Sequence, residues 1–154
     1  MDEVRTILFV DDSELILKAL QRGLLDDSYN CLFAASGKEA LGILHTNEVH
    51  IICADLRMPE LNGLELLKIV KEKYPHIVRL ILSGTTQVNM LLTAINQGEI
   101  FRFITKPWKL AEEFRFVLQQ AVDYYNLHAE RDRLAIEVEQ MKHVLERVSS
   151  QRSH

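Results

Sequence analysis

Five residues of this 154-residue chain have types and spacing that could do chemistry together: the pair Asp11-Asp12, Asp55, Ser83 and Lys106. Each stands at or just past the end of a short apolar run. The runs are Thr6-Ile7-Leu8-Phe9-Val10, Ile51-Ile52-Cys53-Ala54, Val78-Arg79-Leu80-Ile81-Leu82 and Phe101-Arg102-Phe103-Ile104. Runs of this kind, bounded by turn signals, read as buried parallel strands. In open α/β sheets the chemistry sits beyond the carboxyl ends of such strands. Three carboxylates gathered at one end repel one another unless a cation lies among them. Oxygen donors without a nearby His or Cys cluster favour Mg²⁺ over zinc. Ser83 can donate a hydrogen bond to a phosphate oxygen, and Lys106 can pair with one as a mobile point charge. The set describes a phosphoryl-transfer site with a carboxylate as acceptor. Taken singly, the residues have plainer readings: Asp55 as a turn or cap, Ser83 as a helix cap, Phe103 as core.

The elements that must position these groups follow from periodicity. After the first strand, Ser13 can cap a helix whose apolar face carries Ile16, Leu17, Leu20 and Leu24. Cys31-Leu32-Phe33-Ala34 makes a short second strand. Ser36-Gly37-Lys38-Glu39 has the form of a capping box, continued by Ala40, Leu41 and Leu44. The third strand runs into Asp55, Met58-Pro59 and the turn Asn62-Gly63. A helix with Leu64, Leu67 and Val70 follows and stops near Pro75. Beyond the fourth strand, Val88, Leu91, Leu92 and Ile95 recur at helical spacing, and Gly98 ends that helix. Strands and helices thus alternate five times. That pattern predicts a doubly wound five-stranded parallel α/β sheet with right-handed crossovers.

The totals are those of an ordinary globular protein. Net charge is −4, so no global basic field points to nucleic acid. No apolar run approaches a membrane span, and Met1-Asp2-Glu3 does not open a signal peptide. Cys31 and Cys53 sit in apolar runs and read as buried reduced thiols, which suits a cytoplasmic location. The six histidines are scattered without metal-ligand spacing.

With those residues set out, the chain resembles the receiver domain of two-component response regulators over about residues 4–122. Asp11-Asp12, Asp55 with Met58-Pro59, Ser83 and Lys106-Pro107 fall in that family's order and strand positions. The resemblance implies a flavodoxin-like sheet of order 2-1-3-4-5. It implies that Asp55 accepts a phosphoryl group from a sensor histidine kinase or phosphotransfer protein. Asp12, Asp55 and the backbone carbonyl of Arg57 would hold Mg²⁺, with Asp11 acting mainly through water. Ser83 and Lys106 would contact the phosphoryl oxygens. Ser83 and Phe103 would form the switch acting on the face of the fourth helix, fifth strand and fifth helix. Arg57 and Thr85 occupy positions that tune dephosphorylation, and the Lys106-Pro107 bond is often cis in the family. The stretch from Gly98 to Trp108 is similar to receivers attached to hydrogenase regulators or to cyclic-di-GMP enzymes. On this reading the chain is a phosphoacceptor that assists its own phosphorylation and dephosphorylation rather than an enzyme acting on other substrates.

Past Pro107 no Pro or Gly interrupts the chain to His154. Phe114, Val117, Leu118 and Ala121 fit a fifth helix packed on the sheet. About forty helical residues make a rod of about 60 Å, against a radius of gyration of about 13–14 Å for such a domain. The rod must leave the domain. Leu127, Leu134, Met141 and Val148 recur every seven residues, and Tyr124, Arg131, Val138 and Leu145 fill the other seam. This is a heptad pattern with a polar defect at Arg131. It predicts a coiled-coil homodimer over residues 123–150, with 151–154 as a disordered end. In a parallel pair Glu137 would face Lys142 of the second copy. A helix folded back on its own domain is the competing reading.

From Leu127 onward acidic and basic residues balance at five each, so a basic DNA-binding region is not expected. Neither a membrane partner nor direct nucleic-acid contact is expected, and the output domain is expected to lie outside this chain. Two other functions compete: an adaptor that dimerises without carrying phosphate, and a phosphohydrolase with an Asp nucleophile. The haloacid-dehalogenase type wants Asp-x-Asp, which Asp11-Asp12-Ser13 does not supply.

Overall fold

A computed structural model describes residues 3–84, 88–105 and 112–152. Five strands, β1 (Thr6–Val10), β2 (Asn30–Ala34), β3 (Ile51–Asp55), β4 (Val78–Ser83) and β5 (Arg102–Thr105), form one sheet. All pairs are parallel and the order is β2-β1-β3-β4-β5. Asp55 and Ser83 are the last residues of their strands rather than the first residues beyond them.

Helices α1 (Glu14–Gly23) and α5 (Glu112–Arg152) are separated by the sheet from α2 (Gly37–Thr46), α3 (Gly63–Lys73) and α4 (Val88–Asn96). Alternation along the strands divides the core accordingly. Leu8, Val10, Ile52, Ala54 and Ile81 face α2, α3 and α4, while Ile7, Phe9, Cys53, Leu80 and Leu82 face α1 and α5. Strands β1 and β3 are buried along their whole length, as strands covered on both faces must be.

Local signals account for most helix starts. The Ser13 hydroxyl accepts the Ile16 N–H and caps α1. Ser36 likewise accepts the Glu39 N–H, but Glu39 takes the Ala35 N–H rather than that of Ser36, so the expected box is not closed. A complete capping box stands instead at α3: Asn62 accepts from Glu65 N–H at 2.9 Å, and Glu65 accepts from Asn62 N–H at 3.2 Å.

Two helix faces differ from the sequence reading. In α3, Leu66 joins Leu67 and Val70 in the core, and Leu64 is only half-buried. In α4, Leu91 and Ala94 face the core while Val88 and Leu92 are exposed. The helix lies at the side of the sheet that ends in β5, so a narrow stripe covers what it must. Gly98, at φ +73°, turns the chain after α4.

Helix α5 is one continuous element of 41 residues. Phe114, Leu118 and Ala121 are buried against the sheet, as their spacing predicts. From Glu130 to Gln151 every residue is exposed, so the rod does not fold back. It stays helical through Arg152, two residues into the expected disordered end. Among the described residues no helix is long and apolar enough to cross a membrane. Cys53 is buried as expected while Cys31 is only half-buried, and that burial pushes the Cys31 pKa up.

Candidate functional site

The sheet register assembles the site. Val10 pairs with Ala54, so the chain leaves β1 and β3 side by side, and Asp11-Asp12 come against Asp55. One carboxylate oxygen from each of Asp11, Asp12 and Asp55 lies within 4.8 Å of the other two. Asp11 and Asp55 are buried and Asp12 is exposed, so the cluster opens to solvent on one side. Asp11 is braced by the Ser13 N–H, which donates to its Oδ1 at 2.9 Å, and by its own N–H to Ala34 O at 3.1 Å. Strand β4 is next to β3, with Asp55 opposite Leu82 and the buried Ser83 one residue further on. Ser83 pairs in turn with Thr105, the last residue of β5. Lys106, the Lys106-Pro107 bond and Thr85 lie outside the described residues.

The loop after Asp55 is held tightly. Leu56 N–H donates to Leu82 O, and Gly63 N–H donates back to Leu56 O. A Cβ on Gly63 would sit 2.3 Å from the Asp55 carbonyl oxygen, so only glycine lets α3 start this close to the strand end. Between them Leu61 N–H donates to Pro59 O around Glu60, whose φ of 69° is unusual for a residue with a side chain. Neither constraint was apparent from sequence. Asn62-Gly63 read only as a turn, and Glu carries no signal for left-handed backbone. Arg57 is exposed and, with Met58, Pro59 and Met90, lines an open groove of about 500 Å³. Phe103 is half-buried against the core on the α4 side.

The donor set is chemically uniform: carboxylate oxygens with no nitrogen or sulfur among them. Such a cluster suits a hard, oxygen-seeking divalent ion of the size of Mg²⁺. Asp11 and Asp55 hold their side of the cluster within the fold, and the exposed Asp12 opens it to solvent.

The fold agrees with that of known proteins. A family model of the response regulator receiver domain matches residues 7–117. The hydrogenase transcriptional regulatory protein HoxA of Cupriavidus necator is 36% identical over 151 residues, covering 98% of this chain and 31% of that protein. The DNA-binding transcriptional regulator NtrC of Klebsiella pneumoniae is 31% identical over 116 residues, covering 75% of this chain and 24% of that protein. The chain therefore spans less than a third of the length of these curated relatives. Among solved structures, the signal receiver domain of an HD domain-containing protein from Pseudomonas fluorescens superposes with a TM-score of 0.76 at 33% identity, covering 80% of this chain and 98% of that one. With a parallel sheet of this order, an acidic cluster at its carboxyl end and a family match over most of its length, the chain belongs to the response regulator receiver domain family.

Proposed function

We propose that this receiver is a phosphorylation switch in which Asp55 accepts a phosphoryl group from a phosphohistidine of a sensor kinase or phosphotransfer protein. The observation that carries the reading is the convergence of Asp11, Asp12 and Asp55 within 4.8 Å beside the buried Ser83. In the transfer, an Asp55 carboxylate oxygen forms the new P–O bond while the P–N bond to the donor imidazole breaks. Asp12, Asp55 and the Arg57 carbonyl would hold Mg²⁺, with Asp11 acting mainly through water. Once bound, the ion offsets the negative charge of the carboxylates and of the incoming phosphoryl oxygens. Ser83 and Lys106 take two of those oxygens. At roughly 1.5–3 kcal/mol gross each, two such charge-assisted hydrogen bonds supply the differential affinity that a switch requires. Ser83 moves toward the phosphate, Phe103 turns inward, and the α4/β5/α5 face changes shape. The test is uptake of label from acetyl phosphate in Mg²⁺. The native chain should be labelled at Asp55 and Asp55→Asn should not; labelling of the variant at the native rate would refute the assignment.

Residues 4–122 are the receiver unit on this proposal, and 123–150 a coiled-coil extension that pairs with a second copy. Support comes from the exposed apolar seam: Leu127, Leu134, Val138, Met141, Leu145 and Val148 are 41–68% exposed on a helix free of its own domain. In this single chain Glu137 instead accepts from Arg133 at 2.6 Å, and Arg133 also binds Glu130. The paired helices carry the state of Asp55 to an output of the regulatory kind for which the relatives are named. The protein works inside the cell, with a kinase as partner and without direct nucleic-acid contact through these residues.

A further inference from the structure

One column of residues on α5 begins in the domain core and ends in the proposed seam. Val117 is buried among the residues that face the sheet, Tyr124 is 42% exposed, and Arg131 is exposed. Residues seven apart share nearly one helix face, drifting by only about 20° per heptad. Tyr124 is therefore where that face passes from the domain to solvent.

Its ring is not idle there. It packs on Phe101 with centroids 4.7 Å apart, and on His128 at 4.3 Å. Phe101 is the residue before β5, and its N–H donates to Arg79 O at 2.7 Å. The far end of β5, Thr105, pairs with Ser83 at the acidic site. This strand of four residues thus has the phosphate-sensing serine at one end and the tyrosine contact at the other. A cavity of about 580 Å³, lined by Tyr124, Tyr125 and His128 on α5 and by Pro75, His76 and Val78 at the start of β4, adjoins the ring.

We propose that Tyr124 is a two-position coupling residue that sets dimer strength according to the state of Asp55. In the resting domain the ring is held on Phe101. When β5 shifts with Phe103, the ring leaves Phe101 and packs between the two helices as the first layer of the seam. The next layer on that column is Arg131, which places two like charges together in a parallel pair and leaves this end of the seam weak. One aromatic layer gained beside it tightens the dimer by roughly tenfold. The inference rests on the receiver reading above.

Sedimentation equilibrium of the full chain in Mg²⁺, with and without beryllofluoride, tests it, with uptake followed by fluorine NMR. The native dimer should tighten roughly tenfold on uptake. Phe101→Ala should take up beryllofluoride yet show the tight dimer in both conditions. Phe101→Leu, which keeps apolar bulk without the ring, carries the comparison if the alanine variant does not fold. Tyr124→Ala should dimerise weakly and not respond. Native-like responses in both Phe101 variants would overturn the coupling. So would a native chain that takes up beryllofluoride without changing its dimer, an outcome that leaves the receiver reading intact. A native chain that takes up no beryllofluoride would overturn both.

Discussion

At the scale of single residues, the buried His50 persists because its protonation state suits a bond. His50 is 6% exposed, and its Nδ1 accepts the Thr6 N–H at 2.9 Å. That bond requires a neutral ring. Burial pushes the pKa below its ordinary 6.5, and the neighbouring Arg5 pushes the same way, against the opposing pull of Glu48. The unfolded chain therefore takes up the proton first as pH falls. The stabilisation is complete above pH 6.5, is lost as pH drops below it, and levels off once the folded ring also charges. Urea unfolding from about pH 8 to about pH 5 should show this slope, at most about 1.4 kcal/mol per pH unit from this group. His50→Asn keeps an acceptor near Nδ1 without titrating, so that part of the slope should vanish. The same residue explains why sequence says little here: six scattered histidines look alike until the fold buries one beside a strand N–H.

Elements reach the site through close approach rather than through their own chemistry. Helix α3 begins so near β3 that a Cβ on Gly63 would meet the Asp55 backbone at 2.3 Å. At Gly37 the nearest atom to the equivalent Cβ would be the tip of the Leu61 side chain, at 2.7 Å, which can turn aside. Gly63→Ala should therefore cost about 1–3 kcal/mol and move the Asp55 carbonyl, weakening Mg²⁺ binding, whereas Gly37→Ala should cost under about 1 kcal/mol and leave binding unchanged. Denaturant midpoints and magnesium titration of the two variants check the contrast. Helix and strand identities were legible because apolar period and breakers agree in each segment, while the ends of β3 and β4 lie one residue further on than the apolar runs indicate. Helix faces were less so. In α4 the pattern Val88, Leu91, Leu92, Ile95 is sound as a helix, but only the tertiary context decides that Leu91 and Ala94 face the core.

For the whole molecule, the decisive feature is a domain with a helix too long for it. Collar contacts fix that helix where it departs: Arg5 Nε donates to Asn126 Oδ1 at 2.7 Å, the Arg5 guanidinium lies 5.0 Å from the Tyr125 ring centroid, and His50 meets the same ring edge-on. The exposed seam beyond the collar should make the 17.8 kDa chain sediment with about twice that mass at high concentration. A chain ending at Asn126 should remain monomeric and still take up beryllofluoride. Equal mass for the two forms at every concentration would remove the coiled coil from the account.

By itself the sequence determined the alternation of five strands and five helices, the carboxylates and serine at the strand tips, and a helix that outruns its domain. Each of these follows from local periodicity or from length, which need no knowledge of what lies alongside. The tertiary structure decided the rest. Register brought Asp11 and Asp12 against Asp55, backbone proximity demanded glycine at position 63, and packing placed Tyr124 on Phe101. Those are distances between segments far apart in the chain, and no pattern within one segment encodes them.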